Sequence, residues 1–274
     1  MITHSHTRQT GFSLVELMIA MVLGLVLMAG VIQIFLGSKQ TYSVVSAQSH
    51  TLENGRFGLF FISRSLRHAG YWGTIGVERK FPAVAEFTEG TSITFGRNND
   101  ATNADIEDGT DEIFIRMTGA PDGSIETCLG SSLLNNQLAV DHYYIRAVDP
   151  LSTENIPSLY CSSRVYGFTA ETHTLGALVS SDDQPLVNGI ENMQILYGIG
   201  SANEVTQYVN STGVTNWEDV RAVKVALLSA SNENTTGVTN TITYNLLDES
   251  VTAPGDGRPR MVFQQSVSLR NFIP

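Results

Sequence analysis

At 274 residues the chain is long enough for one or two domains, each with a real hydrophobic core. Its formal net charge of -11, from 16 Lys+Arg against 27 Asp+Glu, argues against a general nucleic-acid-binding domain, because such affinity rests on neutralising phosphates. An apolar content of 42%, spread over the whole length, excludes a disordered chain.

The charge is unevenly placed. Residues 1–70 carry five basic side chains (Arg8, Lys39, Arg56, Arg64, Arg67) and two acids, Glu16 and Glu53. The remainder holds 11 basic and 25 acidic residues, and all eight prolines lie at or beyond Pro82. That shift predicts a boundary near residues 70–75.

The chain opens on a short polar leader, MITHSHTRQTG, followed by Phe12 and an apolar run. From Leu17 to Leu36 there are twenty residues with one polar member, Gln33, and no charge. A helix of about twenty apolar residues spans a ~30 Å hydrocarbon core. In a secretory signal peptide the apolar core precedes a small-residue cleavage site; here the order is reversed. Glu16 is an acid inside this apolar stretch, only ~6 Å along a helix from Phe12, close enough to an end to reach the interface and to favour the helix N-terminus.

The sequence Gly11-Phe12-Ser13-Leu14-Val15-Glu16, with the span behind it, resembles the class III signal of type IV prepilins and pseudopilins. The resemblance implies that a membrane peptidase cuts between Gly11 and Phe12 and N-methylates Phe12, while the apolar helix stays on the mature protein. It also implies that Glu16 pairs with a Phe12 amine, in the same or a neighbouring subunit, during filament assembly.

Beyond the span, Val45, Leu52, Leu59 and Leu66 recur every seven residues, thickened by Phe60, Phe61 and Ile62. This predicts one continuous helix from about Phe12 to Ala69, its second half laid by an apolar face on a sheet. Gly70 and Gly73 flank Tyr71-Trp72 and would terminate it. From 71 onward, β-branched and aromatic runs predict strands at 91–95, 112–118, 142–148, 164–168, 193–199, 220–229, 241–247 and 265–272. In the run at 220–229, Val223, Val225 and Leu227 share one face and Arg221 and Lys224 lie elsewhere, which predicts a half-buried antiparallel strand.

Several segments narrow the family. Asn54-Gly55-Arg56-Phe57, the run from Arg64 to Gly73, Asp108-Gly109-Thr110-Asp111, Val187-Asn188-Gly189-Ile190-Glu191-Asn192-Met193-Gln194 and Val267-Ser268-Leu269-Arg270-Asn271 resemble the PilW family of type IV pilus assembly proteins. The resemblance implies a pilin-like α+β fold, with a long N-terminal helix, transmembrane in its first half, packed on a mainly antiparallel β-sheet head. The expected divisions are a leader at 1–11, a membrane or filament-core helix at 12–36, its continuation at 37–70, and an extracytoplasmic head at 71–274.

The implied function is that of a minor pilin, which primes or supports pilus assembly and sits in the filament near its tip. The implied partners are other minor and major pilins, the prepilin peptidase/methyltransferase, the inner-membrane assembly platform and the membrane. Before assembly the head would lie in the periplasm, and afterwards on the cell surface. A J-type minor pseudopilin of type II secretion shares the N-terminal signal, and a membrane-anchored adhesin or binding domain is a third reading.

Two cysteines, Cys128 and Cys161, fall in the head; in an exported domain they read as one disulfide, the alternative being two free buried thiols. Six acids between Asp100 and Glu112 fail EF-hand spacing and read as a solvated acidic loop. No catalytic motif, metal-ligand spacing or cofactor fingerprint is present. His142 and His173 are candidate bases without a nucleophile pattern, so a structural role is expected.

Overall fold

The computed structural model describes residues 11–73, 78–81, 92–98, 106–146, 156–201, 204–235 and 241–271. The chain divides into two units, Met1–Ser46 and Ala47–Pro274. One helix, α1 (Leu14–His68, 55 residues), starts in the first and ends in the second.

Ser13 caps α1: its Oγ accepts the Glu16 N–H at 3.2 Å, the first half of an S-x-x-E capping box. At the other end Gly70 takes a positive φ of 73°, which an L side chain rarely adopts. The Asn271 side-chain amide donates to the Arg67 and Ala69 carbonyls at 3.3 and 3.2 Å, satisfying backbone groups that the helix end leaves open. In the first unit, residues 14–42 are exposed along the helix. This stretch is long and apolar enough to cross a membrane.

Among the described residues, the second unit holds eleven strands. β1 (Thr94–Arg97), β2 (Glu112–Thr118), β3 (Gln137–Arg146), β4 (Ser158–Thr169) and β5 (Thr174–Asn188) form an antiparallel meander in chain order. β6 (Ile190–Ile199), β7 (Gln207–Val209), β8 (Val220–Ala230) and β11 (Arg260–Ser268) form a second antiparallel sheet in the order β11-β8-β6-β7. β9 (Ile242–Leu246) and β10 (Glu249–Ala253) make a separate hairpin. The architecture is α+β, one long N-terminal helix against antiparallel sheets.

A single residue, Gly189, carries the chain from β5 in one sheet to β6 in the other. Its φ is 74°, and a Cβ there would lie 2.6 Å from the Ala230 carbonyl oxygen. Glycine therefore meets both the dihedral and the space requirement.

The core lies between the sheets and the second half of α1. Ile62 and Leu66 pack with Ile113, Ile115 and Met117 of β2, Tyr143 and Ile145 of β3, Met193 and Ile195 of β6, and Val223, Val225 and Leu227 of β8. The expected apolar stripe is buried only in its last turns: Ile62 and Leu66 are buried, and Leu59 and Phe61 pack against the core. Val45 and Leu52 are exposed, and the buried positions are Ala47, Thr51, Gly55, Gly58, Ile62, Ser63, Ser65 and Leu66. Close approach explains the choice of small residues. A Cβ on Gly55 would sit 2.1 Å from the Phe263 ring of β11, and one on Gly58 would sit 2.7 Å from Leu227. Ser229 Oγ donates to the Thr51 carbonyl across the same contact at 3.0 Å.

β8 also differs from expectation. It is antiparallel, but buried on both faces rather than one. Val223, Val225 and Leu227 enter the main core, whereas Ala226 and Leu228 pack with Leu246 of the β9–β10 hairpin. The hairpin is a lid over what would have been the solvent face. By contrast, among the described residues β5 pairs only with β4, and it is exposed along nearly its whole length. Asp182, Asp183 and Pro185 lie on this free edge, residue types that discourage unwanted strand pairing.

Candidate functional site

The N-terminal site is built on the start of α1. Of the expected leader, residues 1–10 lie outside the described residues; Gly11 and Phe12 are exposed ahead of the helix. Phe12 immediately precedes the capping Ser13, and Glu16 occupies the third helical position, in the first turn. The arrangement places a peptide bond, Gly11–Phe12, in accessible chain outside the helix, with a preformed apolar helix directly behind it. A carboxylate one turn into the helix favours the positive end of the helix dipole. As the cap, Ser13 fixes where the helix begins, and so fixes Glu16 relative to Phe12.

The segments that carried the family resemblance come together in the second unit, far apart though they are in sequence. Asn54 borders the turn at Gly189, and Asn54, Phe57 and Asn188 line one open cleft of about 1070 Å³ with His50, Pro185 and Asn232. The turn at Asp108–Asp111 is latched onto β6. Asn192 Nδ2 and Gln194 Nε2 both donate to the Gly109 carbonyl, at 3.0 and 2.8 Å. The Asp111 N–H donates to the Met193 carbonyl, and the Ile195 N–H donates to Asp111 Oδ2, each at 2.8 Å. The closing segment ties Asn271 to the helix end, and the Leu269 N–H donates to the Arg221 carbonyl. These motifs are thus the fasteners that hold helix, turn and sheet together.

A further fastener was not legible in advance. Arg260 of β11 is 3% exposed and makes a bidentate contact with Glu191 at 2.6 and 2.9 Å. The same guanidinium holds Asp256 through two bonds of 2.8 Å. Those bonds to Arg260 pull the Asp256 carboxyl down to about 2, against a smaller opposing effect of burial. Glu191 and Arg260 are 69 residues apart. No local pattern announces their meeting.

Cys128 and Cys161 form a disulfide, with Cα atoms 6.5 Å apart. Beside it lies the wholly buried Asp141 of β3. The Cys128 N–H donates to Asp141 Oδ2 at 2.7 Å, and Ser163 of β4 is its register partner. Burial pushes the Asp141 carboxyl up to about 7, opposed by hydrogen bonding from Ser163 and from the Cys128 backbone. The two sulfurs and this carboxylate lie within 4.8 Å of one another, the only such metal-sized group among the described residues. With its sulfurs bonded to each other, the group offers no thiolates, so it does not fit a metal site.

The expected solvated acidic loop needs correction. Asp100 and Asp105 lie outside the described residues, and Asp108 is exposed, but Asp111 and Glu112 are buried. Asp111 latches β6 as described above. Glu112 meets His142 Nε2 at 2.6 Å, and Arg97 approaches it at 3.7 Å. His142 is stacked between Phe114 and Tyr144, with centroids 4.0 and 4.7 Å away. His173 stacks on Trp72 and contacts the Glu78 carbonyl through Nε2 at 2.7 Å. Both histidines are engaged in packing between strands and loops.

Known proteins share both regions of the chain. The family "Type IV Pilus-assembly protein W" matches residues 142–271, from within β3 to the helix-capping Asn271. The prokaryotic N-terminal methylation motif matches residues 6–32. No curated protein matches the chain. Among solved structures it is similar to a type IV-like pilin from Thermus thermophilus at 16% identity and a TM-score of 0.45, over 81% of this chain and 98% of that one.

Proposed function

From the match of residues 142–271 to the PilW family of type IV pilus-assembly proteins and of residues 6–32 to the N-terminal methylation motif, we propose that the chain acts as a minor pilin, priming or supporting the filament and entering it near the tip. In this reading the prepilin peptidase/methyltransferase removes residues 1–11 and methylates Phe12. Residues 12–36 hold the protein in the inner membrane, with the β-rich head from 71 onward in the periplasm and residues 37–70 continuing the helix into it. The assembly platform then transfers the subunit to a filament of major and other minor pilins.

The observation that carries the reading is the N-terminal site. A capped helix, its apolar surface uncharged and exposed from Leu17 to Leu36, starts directly behind an accessible Gly–Phe bond. Such a surface is stable only where lipid or other apolar helices cover it. Glu16 supplies the specificity. In the bilayer it lies near the interface; among packed filament helices an unpaired carboxylate is costly, and the Phe12 amine of a neighbour is its charge partner. The pair also sets the axial register of one subunit against the next. The role is structural and works through assembly, with no catalytic step.

The test is to express Glu16→Ala in a strain lacking the native copy and to compare N-terminal processing, membrane level and filament content. The wild-type chain should begin with N-methyl-Phe12 by mass spectrometry. Glu16→Ala should be cleaved and inserted normally but depleted from sheared filaments. Retention of Met1 in assembled filaments refutes the processing; normal filament entry of Glu16→Ala refutes the role of the pair.

A further inference from the structure

The exposed face of the second half of α1 carries an unusual combination of side chains. Arg56, Phe60, Arg64 and Arg67 follow at intervals of four, four and three residues, so they share one helical face. With His68 and with Gln265 of β11 they line a cleft of about 350 Å³. Phe60 is 56% exposed, an aromatic ring open to solvent in the midst of cations. Arg64 is drawn into an ion pair with Glu126, and Arg56 and Arg67 are exposed beside it. His68 is held below its ordinary value, by burial first and by Arg64 second, so the positive charge of the cleft resides on the arginines.

This patch stands out against the rest of the molecule. Residues 71–274 hold 25 acids against 11 bases, so the head as a whole repels acidic partners, while this helical face attracts them. An anionic membrane surface is the poorer fit: Arg56 lies twenty residues beyond Leu36, where the apolar run ends, and the ring and arginines line a cleft shared with β11. Arg and Phe together are the residue types enriched at the centres of protein interfaces.

We infer that this cleft docks a carboxylate-rich segment of a neighbouring pilin subunit, with Arg56 and Arg67 pairing its acids and Phe60 covered by its apolar carbons. The inference rests on the pilin reading above and adds to it a defined contact surface on the head. Electrostatic attraction between an acidic surface and this face would orient the incoming subunit and select against partners with a basic surface.

The experiment uses the full-length chain in place of the native copy. Arg56→Glu/Arg67→Glu, Arg56→Lys/Arg67→Lys and wild type are compared as the ratio of sheared-filament to membrane protein. The reversed pair should lower that ratio about tenfold or more, since like charges across an interface are strongly disfavoured, and the lysine pair should hold near wild type. A photo-crosslinking residue at position 60 should yield an adduct with an Asp/Glu-rich peptide of another pilin. That adduct decides the matter by itself should the reversed pair lose its disulfide or the protease resistance of its head. Normal filament entry of the reversed pair, or adducts with lipid or with neutral or basic peptides, overturns the cleft while leaving the pilin reading intact. Absence of the wild-type chain from filaments overturns both.

Discussion

Replacing Asp141 by Asn should make the head more stable at neutral pH and remove most of its loss of stability between pH 4 and 7. Asp141 is fully buried beside the Cys128–Cys161 disulfide, where burial raises its carboxyl from 3.8 to about 7. A carboxyl in the unfolded chain releases its proton near pH 4; the folded one holds it until about pH 7. Its contribution to stability is therefore fully present below the unfolded value and is lost as pH rises through the folded value. A difference of about three units corresponds to about 4 kcal/mol across that window. Asn keeps the shape, accepts the Cys128 N–H through its oxygen and offers its amide towards Ser163, without a proton to lose.

Trp72 and Trp217 both lie in the second unit, so urea unfolding of the full chain in detergent, followed by tryptophan fluorescence at several pH values, reports on the head. The stability gap between the Asp141→Asn protein and the wild type should widen by about 4 kcal/mol from pH 4 to pH 7. Parallel curves for the two proteins would refute the assignment. So would an Asp141→Asn protein less stable than wild type at pH 7.

Removing the disulfide by Cys128→Ser/Cys161→Ser frees a loop with a sequence separation of 33 and should cost about 4 kcal/mol in the chain-entropy account, read from the same unfolding curves. Gly55→Ala should destabilise by about 1–3 kcal/mol, because its Cβ overlaps the Phe263 ring and either helix or ring must move. Ala at the exposed neighbour Glu53 should be nearly silent in the same assay, which separates the steric effect from a change in helix propensity.

Much of the fold could be read directly, for reasons that differ by element. α1 was placed within two residues at each end because an uncharged apolar run and Gly70 bound it. The disulfide followed from there being only two cysteines in an expected exported head. The buried face of α1 is legible at Ile62 and Leu66, but not at Gly55 and Gly58, where contact with Phe263 and Leu227 requires glycines that apolar periodicity does not mark. β5 was missed altogether. With one neighbour and solvent on both faces it has no apolar alternation, and its backbone ladder to β4 leaves no trace in composition. The buried Asp141 and the covered side chain of Arg260 have no local signature, since what covers them comes from distant strands and loops. At the N-terminal site Gly11, Phe12 and Glu16 were all legible because the motif is contiguous. The Arg56–Arg67 face was visible as charge, but its cleft required β11.

The point where α1 first becomes buried has a practical reading for anyone wishing to isolate the head. Composition marks residue 70 as the seam, yet a fragment beginning there would lack Thr51, Gly55, Ile62 and Leu66 and would lay bare Tyr143, Leu227 and Phe263. A fragment beginning shortly before Ala47 discards the greasy half of the helix and retains all its buried residues. Secretion and crystallisation trials therefore favour the upstream cut, and a helix that looks like a removable handle is, over its last twenty-odd residues, a structural rib of the head.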